Sequence, residues 1–144
     1  MKHLIVLAAL LLCSNAQAAT YVYQAKAYQG HSGRCGKALL PFQMTITVRK
    51  AFPPNRNLNV PLETVSIDAG GKFQWTATNT KQHQLGGIFV TDGNGDITGW
   101  SVAGATRRSQ AWTHNEPNSV EDFVEFKCGS AGNGNDPGIW TRTE

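Results

Sequence analysis

Charged side chains are scarce in this chain. They make up 16% of its 144 residues, 13 Lys and Arg against 10 Asp and Glu. The formal excess is +3, and no basic run is longer than Arg107-Arg108. That excludes the dense cationic face a phosphate backbone needs, so nucleic acid is not an expected partner. The lack of a polybasic or amphipathic helical segment likewise argues against a membrane surface. Long apolar runs are missing beyond the N-terminus, so no later segment reads as a membrane span or a C-terminal anchor. There is no HExxH pair, no CxxC pair and no GxSxG elbow, which removes the commonest sequence signs of a zinc centre or a nucleophilic serine. Internal repeats and low-complexity tails are absent as well.

What is there begins with an export signal. In MKHLIVLAALLLCSNAQA, Lys2 and His3 precede the apolar run Leu4 to Leu12, and Ala16-Gln17-Ala18 follows. A charged start, a short apolar core and a small-x-small site predict a secretory signal peptide over 1–18, cleaved after Ala18. The run is too short to persist as a spanning helix. A lipid anchor on Cys13 is the rival, but Leu12 stands where a lipobox wants a small residue. Residues 19–144 are then one all-β domain, secreted or periplasmic, with no stable membrane insertion after cleavage.

Of the three cysteines, Cys13 leaves with the signal. Cys35 and Cys128 remain in an oxidising compartment and can pair with each other in only one way, so a disulfide is expected. A metal pair or a catalytic thiol is the alternative, disfavoured by the absence of CxxC spacing.

Period-two alternation organises the rest. In PFQMTITVRK, Phe42, Met44, Ile46 and Val48 alternate with polar residues, as a strand with one buried face does. TYVYQAKAY, LETVSID, KFQWTAT, HQLGGIFVT, ITGWSV, SQAWT, SVEDFVEFKC and GIWTRT also read as strands, with a glycine turn at Ala69-Gly70-Gly71. The fold expected is an antiparallel β-sandwich, or flattened barrel, of about eight or nine short strands. The segment 51–61, rich in Pro and Asn, and the Gly/Asn segment 129–138 read as loops. Cys35 falls in a glycine-rich loop after the first strand and Cys128 ends a late strand, so the bridge is expected to tie the two ends of the fold.

IFVTDGNGDITGW carries the most site-like spacing. Asp92, Asn94 and Asp96 match the first half of a calcium loop, but Ile97, Trp100 and Ala103 occupy the places where the second half needs glycine and oxygen ligands. A hairpin turn is therefore expected, with calcium at Asp92, Asn94 and Asp96 as the alternative and no other cofactor. In a turn, Gly95 should be the least replaceable residue, and the Asp96 side chain the one bonding nearby backbone. The same stretch, GNGDITGWSV, together with the terminal DPGIWTRT, resembles recurring pieces of uncharacterised secreted bacterial β-proteins with a GNITGW-type hairpin and an NPGTW-type ending. The resemblance implies a β fold and an exported location, and no activity. This chain departs from the pattern in lacking a C-terminal anchor and in adding Cys35 and Cys128.

Trp75 and Trp100 share parity with apolar neighbours and are expected in the core. Trp112 and Trp140, set among polar residues, are the candidate ligand-contact aromatics. His31, near Ser32 and Cys35, and His114 are the candidates if the protein is a hydrolase. Glu121, Asp122 and Glu125 read as the solvated side of an edge strand, and Arg107-Arg108 as a charged turn. Three functions fit. The first is a non-catalytic binding domain for a protein or glycan in the envelope or outside the cell, with 51–61 and 129–138 as contact loops. The others are an inhibitor or immunity-type protein neutralising an envelope-targeting enzyme, and a small hydrolase.

Overall fold

The computed structural model describes residues 17–143. The signal-peptide reading and Cys13 therefore fall outside the described residues, except for Gln17 and Ala18. Twelve strands form two antiparallel sheets. In chain order they are β1 (Ala19–Gln24), β2 (Gly30–Gly33), β3 (Gln43–Val48), β4 (Asn57–Pro61), β5 (Thr64–Asp68) and β6 (Gln74–Thr78), then β7 (Gly86–Thr91), β8 (Ile97–Ala105), β9 (Ser109–Glu116), β10 (Ser119–Phe126), β11 (Gly129–Asn133) and β12 (Ile139–Thr143). One sheet has the order β12-β1-β3-β5-β6, and the other β2-β11-β10-β9-β8-β7-β4. No helix among the described residues is long and apolar enough to cross a membrane.

The alternation read in the sequence places the core between the sheets. β3 is the central strand of the five-stranded sheet, and Met44, Ile46 and Val48 are fully buried beside Tyr21, Tyr23, Val65 and Ile67. Phe89, Trp100, Val102, Ala111 and Val124 answer from the seven-stranded sheet. Each large side chain so buried contributes about 1.5–3 kcal/mol.

The three strands beyond the expected number lie in stretches read as loops. β4 runs through the Pro/Asn-rich segment because Leu58 and Val60 point toward the core while Asn57, Asn59 and Pro61 face out. It pairs only with β7, so Pro61, which lacks an N–H, sits on an edge, where proline is tolerated. β11 (GSAGN) keeps the alternation with Ala131 and Asn133 inward, but its glycines hide the pattern from composition. β2 (GHSG) is exposed along its whole length and pairs only with β11.

Cys35 and Cys128 form the expected disulfide, with Cα atoms 5.5 Å apart. Its mechanical role differs from the expectation. Cys35 directly precedes the 3-10 turn Gly36–Ala38, and Cys128 lies in the turn between β10 and β11. The bridge therefore staples the β2 edge to the sheet, reinforced by the Cys35 N–H donating to the Cys128 carbonyl at 3.2 Å. The two ends of the described chain are joined instead by β1 pairing with β12, Thr20 opposite Thr143.

Candidate functional site

The 92–96 segment is a hairpin turn between β7 and β8. The Asp92 carboxylate accepts the backbone N–H of Asn94 at 2.8 Å and of Asp96 at 3.0 Å. The Gly95 N–H reaches the Asp92 carbonyl at 3.1 Å, and the Asp92 N–H donates to the Asp96 carbonyl at 3.0 Å. Gly95 has φ +85°, a left-handed conformation that glycine adopts without strain. The side chain that organises the turn is thus Asp92, not Asp96, which corrects the sequence expectation. One of its oxygens already receives two backbone donors, the role of an aspartate that opens a turn. Among the described residues, no three His, Cys, Asp or Glu side chains gather as a metal-binding group. Asp92→Ala is expected to cost about 1 kcal/mol, and Asp96→Ala less than half of that. Urea denaturation of the two variants checks the order, and a larger loss in Asp96→Ala would contradict it.

A different face gathers more chemistry. On the outer side of the seven-stranded sheet, cross-strand register aligns Gly30, Gly132, Phe123, Trp112 and Ala103 in one row over five strands. Trp112 and Phe123 stack face to face, with ring centroids 4.1 Å apart and planes 20° apart. Neighbours with no side chain, or only a methyl, leave this pair standing above bare backbone. Phe123 leans over Gly132 so closely that a Cβ there would meet the Asp122 carbonyl at 2.9 Å and the Phe123 ring at 3.4 Å. Covering a strand glycine with a cross-strand aromatic is itself stabilising, which is reason enough for one ring. It does not account for the second ring or for the open cleft beside them.

That cleft, about 610 Å³, runs over β10, β11 and β2. Phe123 forms one wall, Gly30 and Gly132 the floor, and Ser32, Ser130 and Glu121 stand on its rim. The rows on either side of the aromatic row supply polar partners. Ser32, Ser130, Glu125 and Gln110 align on one side, and Glu121, His114 and Ser101 on the other. Gln110 donates to Glu125 at 2.5 Å. His114 Nε2 and Ser119 Oγ are 2.8 Å apart at the exposed end of the β9–β10 hairpin. A serine–histidine pair in open solvent lacks the water exclusion that makes such a hydroxyl a strong nucleophile.

Several residues singled out in the sequence are placed elsewhere. Trp140 is only 8% exposed and packs against Tyr23, Phe89 and Trp100 in the core, so it is not a ligand contact. Its polar neighbour Thr141 faces outward on the other side of β12. His31 lies on β2 with Nδ1 held 2.8 Å from the Gly36 carbonyl and its ring edge-on to Tyr28. Cys35 beside it is spent in the disulfide. The segment 51–61 turns Phe52 inward onto Tyr21, with centroids 4.5 Å apart.

The acidic cluster is divided by the pleat. Glu121 and Glu125 face out, but Asp122 is 1% exposed, and β10 is an interior strand and not an edge. The Tyr23 hydroxyl donates to the Asp122 carboxylate, 2.8 Å from each oxygen, and accepts the Gly138 N–H. Trp100 Nε1–H donates to Thr113 Oγ1 at 2.8 Å, and Thr113 sits directly across from Asp122. Burial holds the Asp122 carboxyl above the ordinary carboxylate range, against the opposing pull of hydrogen bonds from Thr113 and Tyr23. Burial likewise raises the Tyr23 hydroxyl, which stays neutral. This network ties the two sheets together and orders the 134–138 segment at one end of the cleft.

Sequence reasoning missed Phe123 and the glycine floor. Their signal exists only in register: Phe123 and Trp112 lie 11 positions apart, and nothing but the β9–β10 pairing places them opposite each other. Compared with known protein families, with curated proteins and with solved structures, the chain matches none.

Proposed function

We propose that the protein is a non-catalytic, exported binding domain that holds a glycan on the outer face of its seven-stranded sheet. The observation that carries this reading is the row in which stacked Phe123 and Trp112 stand between Gly132 and Ala103. A sugar ring has an apolar C–H face and a rim of hydroxyls. An aromatic wall over bare backbone suits the first, and Ser32, Ser130 and Glu121 suit the second. Glu121 on the rim, with Glu125 in the row beside it, favours a neutral or amino-bearing sugar over an acidic one.

Export is supported by two features. β1 begins at Ala19, directly after the expected cleavage point, so loss of 1–18 removes no strand of either sheet. The Cys35–Cys128 disulfide suits the periplasm or the exterior. The resemblance of GNGDITGWSV, which spans the turn and β8, points the same way.

Titration calorimetry with neutral and amino-sugar oligosaccharides tests the reading. Trp112→Ala and Phe123→Ala should each weaken binding at least about tenfold, roughly the 1.4 kcal/mol that one stacked ring contributes. Variants that keep the fold and bind as well as the wild type would remove the site. A hydrolase is the second reading, resting on the 2.8 Å contact between Ser119 and His114 although that pair is open to solvent. Ester or glycoside hydrolysis that disappears in Ser119→Ala would establish it in place of the first.

A further inference from the structure

The five-stranded sheet has an outer face that the glycan site does not use. Its register lines up Thr143, Thr20, Thr47, Thr64 and Thr78 across all five strands. The next row is Thr141, Val22, Thr45, Ser66 and Thr76. A third row is Ile139, Gln24, Gln43, Asp68 and Gln74, in which Ile139 is an exposed apolar side chain at the β12 edge and Asp68 is the single ionisable side chain of the three rows. None of these positions is buried. Two neighbouring pairs of hydroxyls are hydrogen-bonded across strands, Thr47 to Thr64 at 2.7 Å and Ser66 to Thr76 at 2.9 Å.

Threonine is a good strand former, which explains some of this. It does not explain the edge at β6. Edge strands ordinarily carry lysine, proline or other charge to block pairing with another chain. Edge strand β12 follows that rule with the exposed Arg142 between Thr141 and Thr143, but the outward positions of edge strand β6 are Gln74, Thr76 and Thr78 with no charge.

What the rows lack narrows the partner. They hold no aromatic ring for a sugar to stack on, and neither the aromatic nor the arginine anchors of protein interfaces. They hold no cation for phosphate or anionic lipid, and too few carboxylates for a metal. A neutral hydroxyl lattice complements another neutral hydroxyl lattice. The strand repeat sets the mesh at about 4.8 Å across strands and about 6.8 Å along them. This is close to the repeat of oxygens on a prism face of ice. The paired hydroxyls, 2.7 and 2.9 Å apart, lie near the O···O separation of a hydrogen-bonded water pair.

We infer that this face is an ice-binding surface. Sheet twist of roughly 20–25° per strand makes the match best at the central strands β1, β3 and β5 and weaker toward the edge strands β12 and β6. The activity is therefore adsorption to ice and inhibition of recrystallisation, with little depression of the freezing point.

The test uses the exported, disulfide-bonded protein in two assays, partition into slowly growing ice and recrystallisation of a frozen sucrose solution. The wild type should enter the ice fraction and hold crystals small. Thr45→Lys, which puts bulk and charge at the centre of the grid, should be excluded from ice as an inert control protein is. Thr141→Lys, on edge strand β12, provides a second variant whose fold is less at risk, and it should lose part of the effect. Trp112→Ala should keep ice binding while losing glycan binding, so that failure of one site is not mistaken for failure of the other. Exclusion of the wild type from ice, or full partition of a folded Thr45→Lys, would overturn the assignment. So would retention on crystalline chitin or cellulose, without ice binding, that Thr45→Lys abolishes; the face would then belong to a polysaccharide surface.

Discussion

Replacing Cys35 and Cys128 together by serine is expected to lower the unfolding free energy by about 4 kcal/mol. The bridge closes a loop with a sequence separation of 93, and the chain-entropy model gives about 4–5 kcal/mol for a loop of that size, with measured values often lower. The loss has a location as well as a size. β2 is exposed throughout and pairs only with β11, so without the staple it holds to the sheet by a few backbone bonds. Hydrogen exchange should show the amides of β2 and β11 losing protection first, and the cleft proposed to hold a glycan should lose shape because Gly30 and Ser32 line it. Chemical denaturation of the oxidised protein and the double variant measures the total. A difference below about 1 kcal/mol would mean that the bridge is ornamental.

Tyr23→Phe should cost about 3 kcal/mol, although it removes a single oxygen and leaves the ring packing intact. That oxygen accepts the Gly138 N–H and donates to Asp122, so its loss strands a buried donor and takes a partner from a buried carboxylate. Each orphaned group costs about 1–3 kcal/mol. The acid limb gives a second readout. Burial raises the folded-state pKa of Asp122 above its ordinary value of 3.8, so the folded protein binds this proton more tightly than the unfolded chain does. The stability this residue allows is then greatest below pH 3.8 and falls as pH rises through the raised folded pKa, above which it levels off. Tyr23→Phe withdraws a hydrogen bond that favours the charged form, so it should extend the falling region to higher pH. Asp122→Asn should abolish the region altogether. Urea midpoints taken across the acid range check both, and a Tyr23→Phe protein as stable as the wild type, with an unchanged pH profile, would show that the network carries no weight.

How much of this was legible in the sequence depended on whether a side chain's neighbours lie along the chain or across it. β3 was readable because PFQMTITVRK alternates cleanly and both flanking strands are equally regular. The turn at Asp92 was readable because its Asp-Gly and Asn-Gly steps dictate the local backbone, though which aspartate bonds the turn was not. β2 and β11 were not readable, since glycine and serine carry no hydrophobic pattern and these strands exist only because of what they pair with. Asp122 was misread for the same reason. VEDFVEF alternates as a half-exposed strand should, but a charged residue on the inward parity looks like a register slip until Tyr23, Thr113 and Gly138 are seen to meet it. The aromatic row and the threonine grid belong to the same class, since each is a line drawn across strands.

The pairing of β1 with β12 has a consequence in time. One partner of β1 is β12, the last strand among the described residues, so the five-stranded sheet is completed only after all its other strands have been made. β1 can pair early with β3, but it keeps an open edge until residues 139–143 arrive. Folding dominated by such distant contacts is slow, because the closure entropy is spent before the contacts form. A sheet completed this late suits the export proposed for this protein, because threading through a channel needs a chain that has not yet closed its last strand.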